Sequence, residues 1–154
     1  MANELRLSRR IAATPDEVFD AWTRADALNQ WLIPCGPGST RAQLDARVGG
    51  RFSIDMNNDG EHIPHHGEYL RLERPTLLEF TWISRHTEDK RSVVTVELKA
   101  AGDAATELTL THRLLPSQKA ADGHTKGWTV ILDELVARHA KAATASSSAA
   151  RATA

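Results

Sequence analysis

The chain has 154 residues, 41% hydrophobic and 25% charged, which suits one ordinary soluble domain with a full core and leaves no need for a second. Its 19 basic and 20 acidic residues are interspersed and sum to a formal net charge of -1, so the basic footprint that nucleic acid or an anionic membrane surface demands is missing. Cys35 is the only cysteine, which excludes an internal disulfide; with no secretory leader pattern and no bilayer-length apolar run, the expected location is cytoplasmic.

Glu4 to Ile11 opens the chain as a half-buried strand, with Leu5, Leu7 and Ile11 alternating against Arg6, Ser8 and Arg10. Arg9 falls on the apolar parity. Thr14-Pro15-Asp16-Glu17 then supplies a capping oxygen, a proline at the first helical position and a glutamate three residues after the cap, which together predict a helix start. Val18, Phe19 and Trp22 make its apolar face, and Asp26 to Trp31 predicts a second short helix offering Leu28, Trp31 and Leu32. Pro34-Cys-Gly-Pro-Gly38 breaks the helical run.

From Thr40 to Leu115 the pattern is strands and turns. A weak strand, Arg41 to Arg47, turns at Gly49-Gly50 into Arg51 to Met56, where Phe52, Ile54 and Met56 share a face. After the Asn57–Gly60 turn come His65 to Glu73, the Arg74-Pro75 turn, and Thr76 to Ser84 with Leu78, Phe80 and Trp82 on one side. Arg91 to Lys99 and Thr106 to Leu115 form the last hairpin, with Val94, Val96, Leu98, Leu108, Leu110 and His112 inward. Short connections make this seven-stranded sheet antiparallel and meandering.

Trp128, Ile131, Leu132, Leu135, Val136 and His139 form one stripe of a long helix expected from about Gln118 to about Lys141. Gly123 and Gly127 lie one turn apart inside it, each costing roughly 1 kcal/mol against alanine, so either a close approach by sheet or ligand offsets them or the helix starts only near Asp122. Residues 1–141 thus read as one domain and 142–154 as a low-complexity C-terminal tail without large apolar groups. The expected fold class is α+β: a curved antiparallel sheet, two short N-terminal helices and one long C-terminal helix around a cavity.

Pro15-x-Glu-Val-Phe-x-Ala-Trp22, Leu28-x-x-Trp31, Gly49-Gly-Arg-Phe52, Leu78-x-Phe-Thr-Trp82, Leu108-Thr-Leu-Thr-His112 and Gly127-Trp128 ahead of the Leu-rich helix occur in that order. The succession resembles the activator of heat-shock protein 90 ATPase-like family of the SRPBCC superfamily, which also holds START-like lipid-transfer domains and polyketide cyclases, and the match runs over residues 4 to 140. The resemblance implies a helix-grip fold with a hydrophobic cavity between sheet and C-terminal helix. It implies no particular reaction.

The candidate ligand-binding residues are Phe52, Ile54, Tyr69, Phe80, Trp82, Leu110, His112, Gly127, Trp128 and Ile131. His112 is inward by parity and reads either as an acid, base or ligand donor, or as a core histidine bonded to a backbone carbonyl. Arg9 could hold a carboxylate or phosphate at a cavity mouth or turn out to solvent. His62, His65 and His66 cluster, but Pro64 excludes a helix and adjacent strand residues face opposite sides, so a solvated hairpin is expected rather than a metal site. No Gly-x-Ser-x-Gly elbow and no phosphate loop appears, so neither nucleophilic catalysis nor a nucleotide cofactor is expected.

Three functions fit these features. The first is binding of a small hydrophobic or amphipathic molecule in the cavity. The second is a polyketide cyclase-like enzyme in which Arg9 and His112 move protons. The third is a chaperone-activator-like interaction domain, although the chain has no room for the separate N-terminal chaperone-binding module of eukaryotic activators. A homodimer is open, but no exposed apolar stripe requires it.

Overall fold

The computed structural model describes residues 3–153, with side chains through residue 140. In chain order the elements are β1 (Asn3–Ile11), α1 (Pro15–Thr23), α2 (Ala25–Trp31), β2 (Thr40–Leu44), β3 (Arg51–Asn58), β4 (Glu61–Glu73), β5 (Leu77–Trp82), β6 (Ser92–Ala100), β7 (Thr106–Leu115) and α3 (Gln118–Thr153). The strands pair antiparallel in the order β1-β7-β6-β5-β4-β3-β2. This is the α+β arrangement expected from the alternation of residues, and the helix-grip fold that the family resemblance implies.

Local signals set the helix starts. Thr14 accepts the Glu17 amide at 3.2 Å, and Glu17 returns the bond by accepting the Thr14 amide at 3.2 Å, closing a reciprocal cap at α1. The Ser117 hydroxyl accepts the Ala120 amide at 3.0 Å and starts α3. The helix therefore begins at Gln118, not near Asp122, and both glycines sit inside it.

Several boundaries depart from the expectation, among them β2, which ends at Leu44 rather than Arg47, and β5, which ends at Trp82 rather than Ser84. β4 starts at Glu61, so the histidine segment belongs to a strand of 13 residues. A one-turn 3-10 helix, Arg85–Thr87, interrupts the β5–β6 connection; the Ser84 hydroxyl accepts the His86 amide at 3.0 Å and the Thr87 hydroxyl accepts the Ser84 amide at 3.1 Å. The α3 backbone continues to Thr153, through nearly all of the segment read as a tail, whose side chains fall outside the described residues.

The core lies between the sheet and α3, with α1 and α2 bracing the other side. Trp128, Ile131, Leu132 and Leu135 of α3 are buried against inward residues such as Leu108, Leu110, Val94 and Val96. Burying four such side chains contributes roughly 1.5–3 kcal/mol each, which outweighs the roughly 1 kcal/mol that each interior glycine costs. Packing, rather than helix propensity, holds α3 in place. None of the helices among the described residues is long and apolar enough to cross a membrane.

Candidate functional site

The inward face divides into a filled half and an open half. Beneath α3 at Trp128, the rings of Trp22, Phe52, Tyr69, Phe80, Trp82 and Trp128 pack in tilted and edge-on pairs with centroids 5.2–6.3 Å apart. Only a void of about 20 Å³ remains among them. The large hollow, about 990 Å³, lies beyond this cluster, over the first half of α3. Its floor is Trp82, Trp128, Ile131, Met56 and Ile63; its walls are the loop at Pro34 and Cys35, the β3–β4 hairpin and the 3-10 turn with His86.

Gly123 and Gly127 line this hollow, and a Cβ built at either position meets nothing within 4 Å. The sheet does not approach them. They widen the cleft, and no close backbone contact requires them. Gly123→Ala and Gly127→Ala are each expected to raise the unfolding free energy by up to about 1 kcal/mol, read from the urea midpoint at constant m-value.

His112 is fully buried and completely bonded. Its Nδ1 accepts the Trp128 indole N–H at 3.1 Å, its Nε2 lies 2.7 Å from the Ser92 hydroxyl, and that hydroxyl donates to the Trp82 carbonyl at 2.5 Å. Indole nitrogen only donates and a carbonyl only accepts, so the proton of His112 is on Nε2. Burial, helped by repulsion from His124, lowers its pKa to about 3. Its partners are two side chains from β6 and α3 rather than the backbone carbonyl that a simple core histidine would use, and it borders neither hollow.

His65 corrects the picture of a solvated histidine hairpin. It is 5% exposed, stacks on Trp82 at 4.9 Å and lines the cleft, while His62 turns outward to Asp55 at 2.7 Å and His66 is exposed. Burial lowers its pKa to about 4, partly opposed by the Ile54 and Ile63 carbonyls. His124, on α3, also borders the cleft; its Nδ1 lies 2.8 Å from the Ala120 carbonyl and burial lowers its pKa. The interior polar groups of the cleft are thus neutral imidazoles. Among the described residues no three His, Cys, Asp or Glu side chains converge as a metal site requires.

Of the ten candidate residues, Trp82, Gly127, Trp128 and Ile131 border the cleft. Phe52, Ile54, Tyr69 and Phe80 surround the small void, and Leu110 lies in packed core. Burial pushes the Tyr69 phenol up, so it stays protonated. Arg9 is on the inward parity but spans to α3, pairing with Asp133 at 2.9 Å, so it is no anion anchor in the cleft. The reading of residues missed Met56, Ile63, His65, His86 and His124 as cleft residues. One signal could have found His124: counting the α3 stripe back one turn from Trp128 reaches it. No local signal points to His86, which the 3-10 turn swings into place.

Comparison with known proteins places this architecture. None of the curated proteins matches the chain at a significant level. Among solved structures, the AHSA1 protein from Silicibacter pomeroyi is 28% identical with a TM-score of 0.73, over 90% of this chain and 98% of that one. CalU16 from Micromonospora echinospora is 29% identical with a TM-score of 0.67, over 87% and 74%. An HSP90 activator from Plasmodium falciparum is 27% identical with a TM-score of 0.70, over 86% and 92%. The family model described as Activator of Hsp90 ATPase homolog 1-like protein matches residues 12–140, and the chain belongs to that family.

Proposed function

We propose that this domain binds a small hydrophobic or amphipathic molecule in the cleft over the first half of α3. The observation that supports the reading most is a hollow of about 990 Å³, floored by two tryptophans and aliphatic side chains, into which α3 presents two glycines that open space and cost helix stability. A helix that needed only to pack would gain from alanine there. The cleft takes the place of the deeper cavity first expected, because the aromatic cluster fills the space between the sheet and α3 at Trp128.

Cys35 borders the cleft and is the chain's only cysteine, so an environment-sensitive thiol label on it reports occupancy directly. Titrating labelled protein with a fluorescent fatty-acid analogue is expected to give saturable binding and a raised melting temperature, with ligand at 100 times Kd adding about 2.7 kcal/mol. Gly127→Leu is expected to weaken that binding at least about tenfold, since roughly one lost apolar contact surface of this size is worth about 1.4 kcal/mol or more. If no hydrophobe shifts the melting temperature, the binding role is wrong.

A second reading, an interaction domain that stimulates a chaperone, draws on the likeness to the Plasmodium activator across 92% of that chain. ATPase stimulation of an Hsp90 by the added domain would support it. Unchanged turnover at saturating domain would dismiss it.

A further inference from the structure

His124 brings an unmet acceptor to the cleft. It lies one turn before Trp128 on the inward stripe of α3, half-buried, and borders the hollow. A carbonyl can only accept, so the 2.8 Å contact of His124 Nδ1 with the Ala120 carbonyl of the same helix places the proton on Nδ1 and leaves Nε2 as a bare lone pair. The two ring nitrogens point in diverging directions. With Nδ1 held against its own helix, Nε2 is therefore turned away from it.

That lone pair is open rather than sealed. No donor among the described residues takes it, and the sealed side-chain nitrogens and oxygens without a partner are the indole nitrogens of Trp22 and Trp82, not His124 Nε2. The acceptor thus reaches accessible surface. On the sheet side the ring is closed by His112, edge-on at 4.8 Å, whose own nitrogens are taken by Trp128 and Ser92. On the other side the stripe is bare, because Gly123 and Gly127 flank His124 and a Cβ at either meets nothing within 4 Å. The lone pair opens into the hollow.

Charge around the hollow does not select an ion. Lys119 and Lys126 on its rim are matched by Glu88 and Asp122, and Arg85 is engaged by Glu61 and the His62 carbonyl. Deeper in, burial holds His65 and His124 neutral. A carboxylate at His124 would set negative charge against a lone pair. An amide would bring further polar atoms, for which the floor has no open partner: the Trp128 N–H is taken by His112, the Trp82 N–H is sealed, and Ile131, Met56 and Ile63 are aliphatic or thioether. A hydroxyl brings one matched donor and little else. Resting on the binding role above, we infer that the cleft takes an uncharged amphiphile whose hydroxyl head donates to His124 Nε2 while its apolar body lies over the floor of Trp82, Trp128 and Ile131. His124 is then the specificity determinant of the cleft, the group that tells a hydroxyl from an ether or a carboxylate.

Octanol, its methyl ether and octanoate share one tail and differ at the head. Titrated by calorimetry at neutral pH into the full chain, octanol is expected to bind about tenfold tighter than the ether, the worth of one hydrogen bond, and tighter than octanoate. His124→Phe, which keeps a ring against His112, is expected to bring octanol down to the affinity of the ether and to leave the ether unchanged. If that variant fails to fold, nitrogen NMR of the histidine-labelled wild-type chain decides: octanol, and not the ether, is expected to shift the unprotonated ring nitrogen of His124, and an unmoved signal overturns the inference. Equal affinity for octanol and the ether, octanoate as tight as octanol, or a preference that survives His124→Phe each overturns it while leaving a hydrophobic cleft in place. So does a failure of octanol to bind where the fatty-acid analogue binds. Absence of binding by all three, together with no response to the fatty-acid analogue, removes both the inference and the binding role.

Discussion

Between about pH 7 and pH 5 this domain is expected to lose about 4 kcal/mol of stability through two histidines alone. His112 and His65 have folded pKa values of about 3 and about 4 against the ordinary 6.5, in both cases because burial penalises the charged ring first. Below pH 6.5 the unfolded chain takes up protons that the folded chain refuses, so stability falls as pH falls. The contribution is fully present above the ordinary value and is drained progressively toward the folded values. Each histidine contributes a slope of up to about 1.4 kcal/mol per pH unit, hence about 2.7 for the pair.

Geometry explains why the refusal is strong at His112. Its Nδ1 already accepts the Trp128 N–H, so a second ring proton would point one donor at another across 3.1 Å. Urea unfolding at several pH values checks the claim, and His65→Leu is expected to roughly halve the slope if the variant folds. A stability that stays level from neutral pH to about pH 5 would show that neither ring is buried as described.

Gly67→Ala is expected to cost more than about 3 kcal/mol, the opposite sign to alanine at Gly123 or Gly127. A Cβ at Gly67 would sit 1.9 Å from the Thr81 carbonyl oxygen and 2.6 Å from the Phe52 ring. The ring could turn aside only at the expense of its contacts with Tyr69 and Phe80, and the carbonyl is backbone and cannot. Here β4 and β5 are pressed together by the Glu68 amide donating to the Thr81 hydroxyl at 2.8 Å, next to a register shift between Tyr69 and Arg71. Insoluble expression or a collapsed urea midpoint is the expected result. A midpoint within about 0.5 kcal/mol of wild type would mean the two strands can separate locally without loss.

The pair of glycine outcomes separates two uses of the same residue. At Gly67 the missing side chain lets two strands and a ring meet, and at Gly127 it leaves the cleft open. Only the second kind bears on the proposed binding role, and it is the one whose alanine substitution is expected to stabilise.

Alternation along β3 to β7 was enough to assign Phe52, Phe80, Trp82, Leu110 and His112 to one face, and the capping box at Thr14 was enough to start α1. Periodicity at 3.6 residues likewise assigned Trp128, Ile131, Leu132 and Leu135 to the packed side of α3. These are local properties: each depends on the direction in which a side chain leaves its own strand or helix, which sequence spacing specifies. Where the inward residues meet is a different kind of fact. Whether the rings of Phe52, Tyr69, Phe80 and Trp22 fill the space beneath α3 or leave it empty depends on volumes contributed by elements far apart in the chain, and they fill it. The hollow is displaced to the first turns of α3, where a 3-10 turn without a periodic signature brings in His86 and the lengthened β4 brings in His65. Partner choice is equally nonlocal, since the bond from Trp128 to His112 and the unmet N–H of Trp82 are set by how the helix crosses the sheet, and spacing along one element carries no information about that crossing.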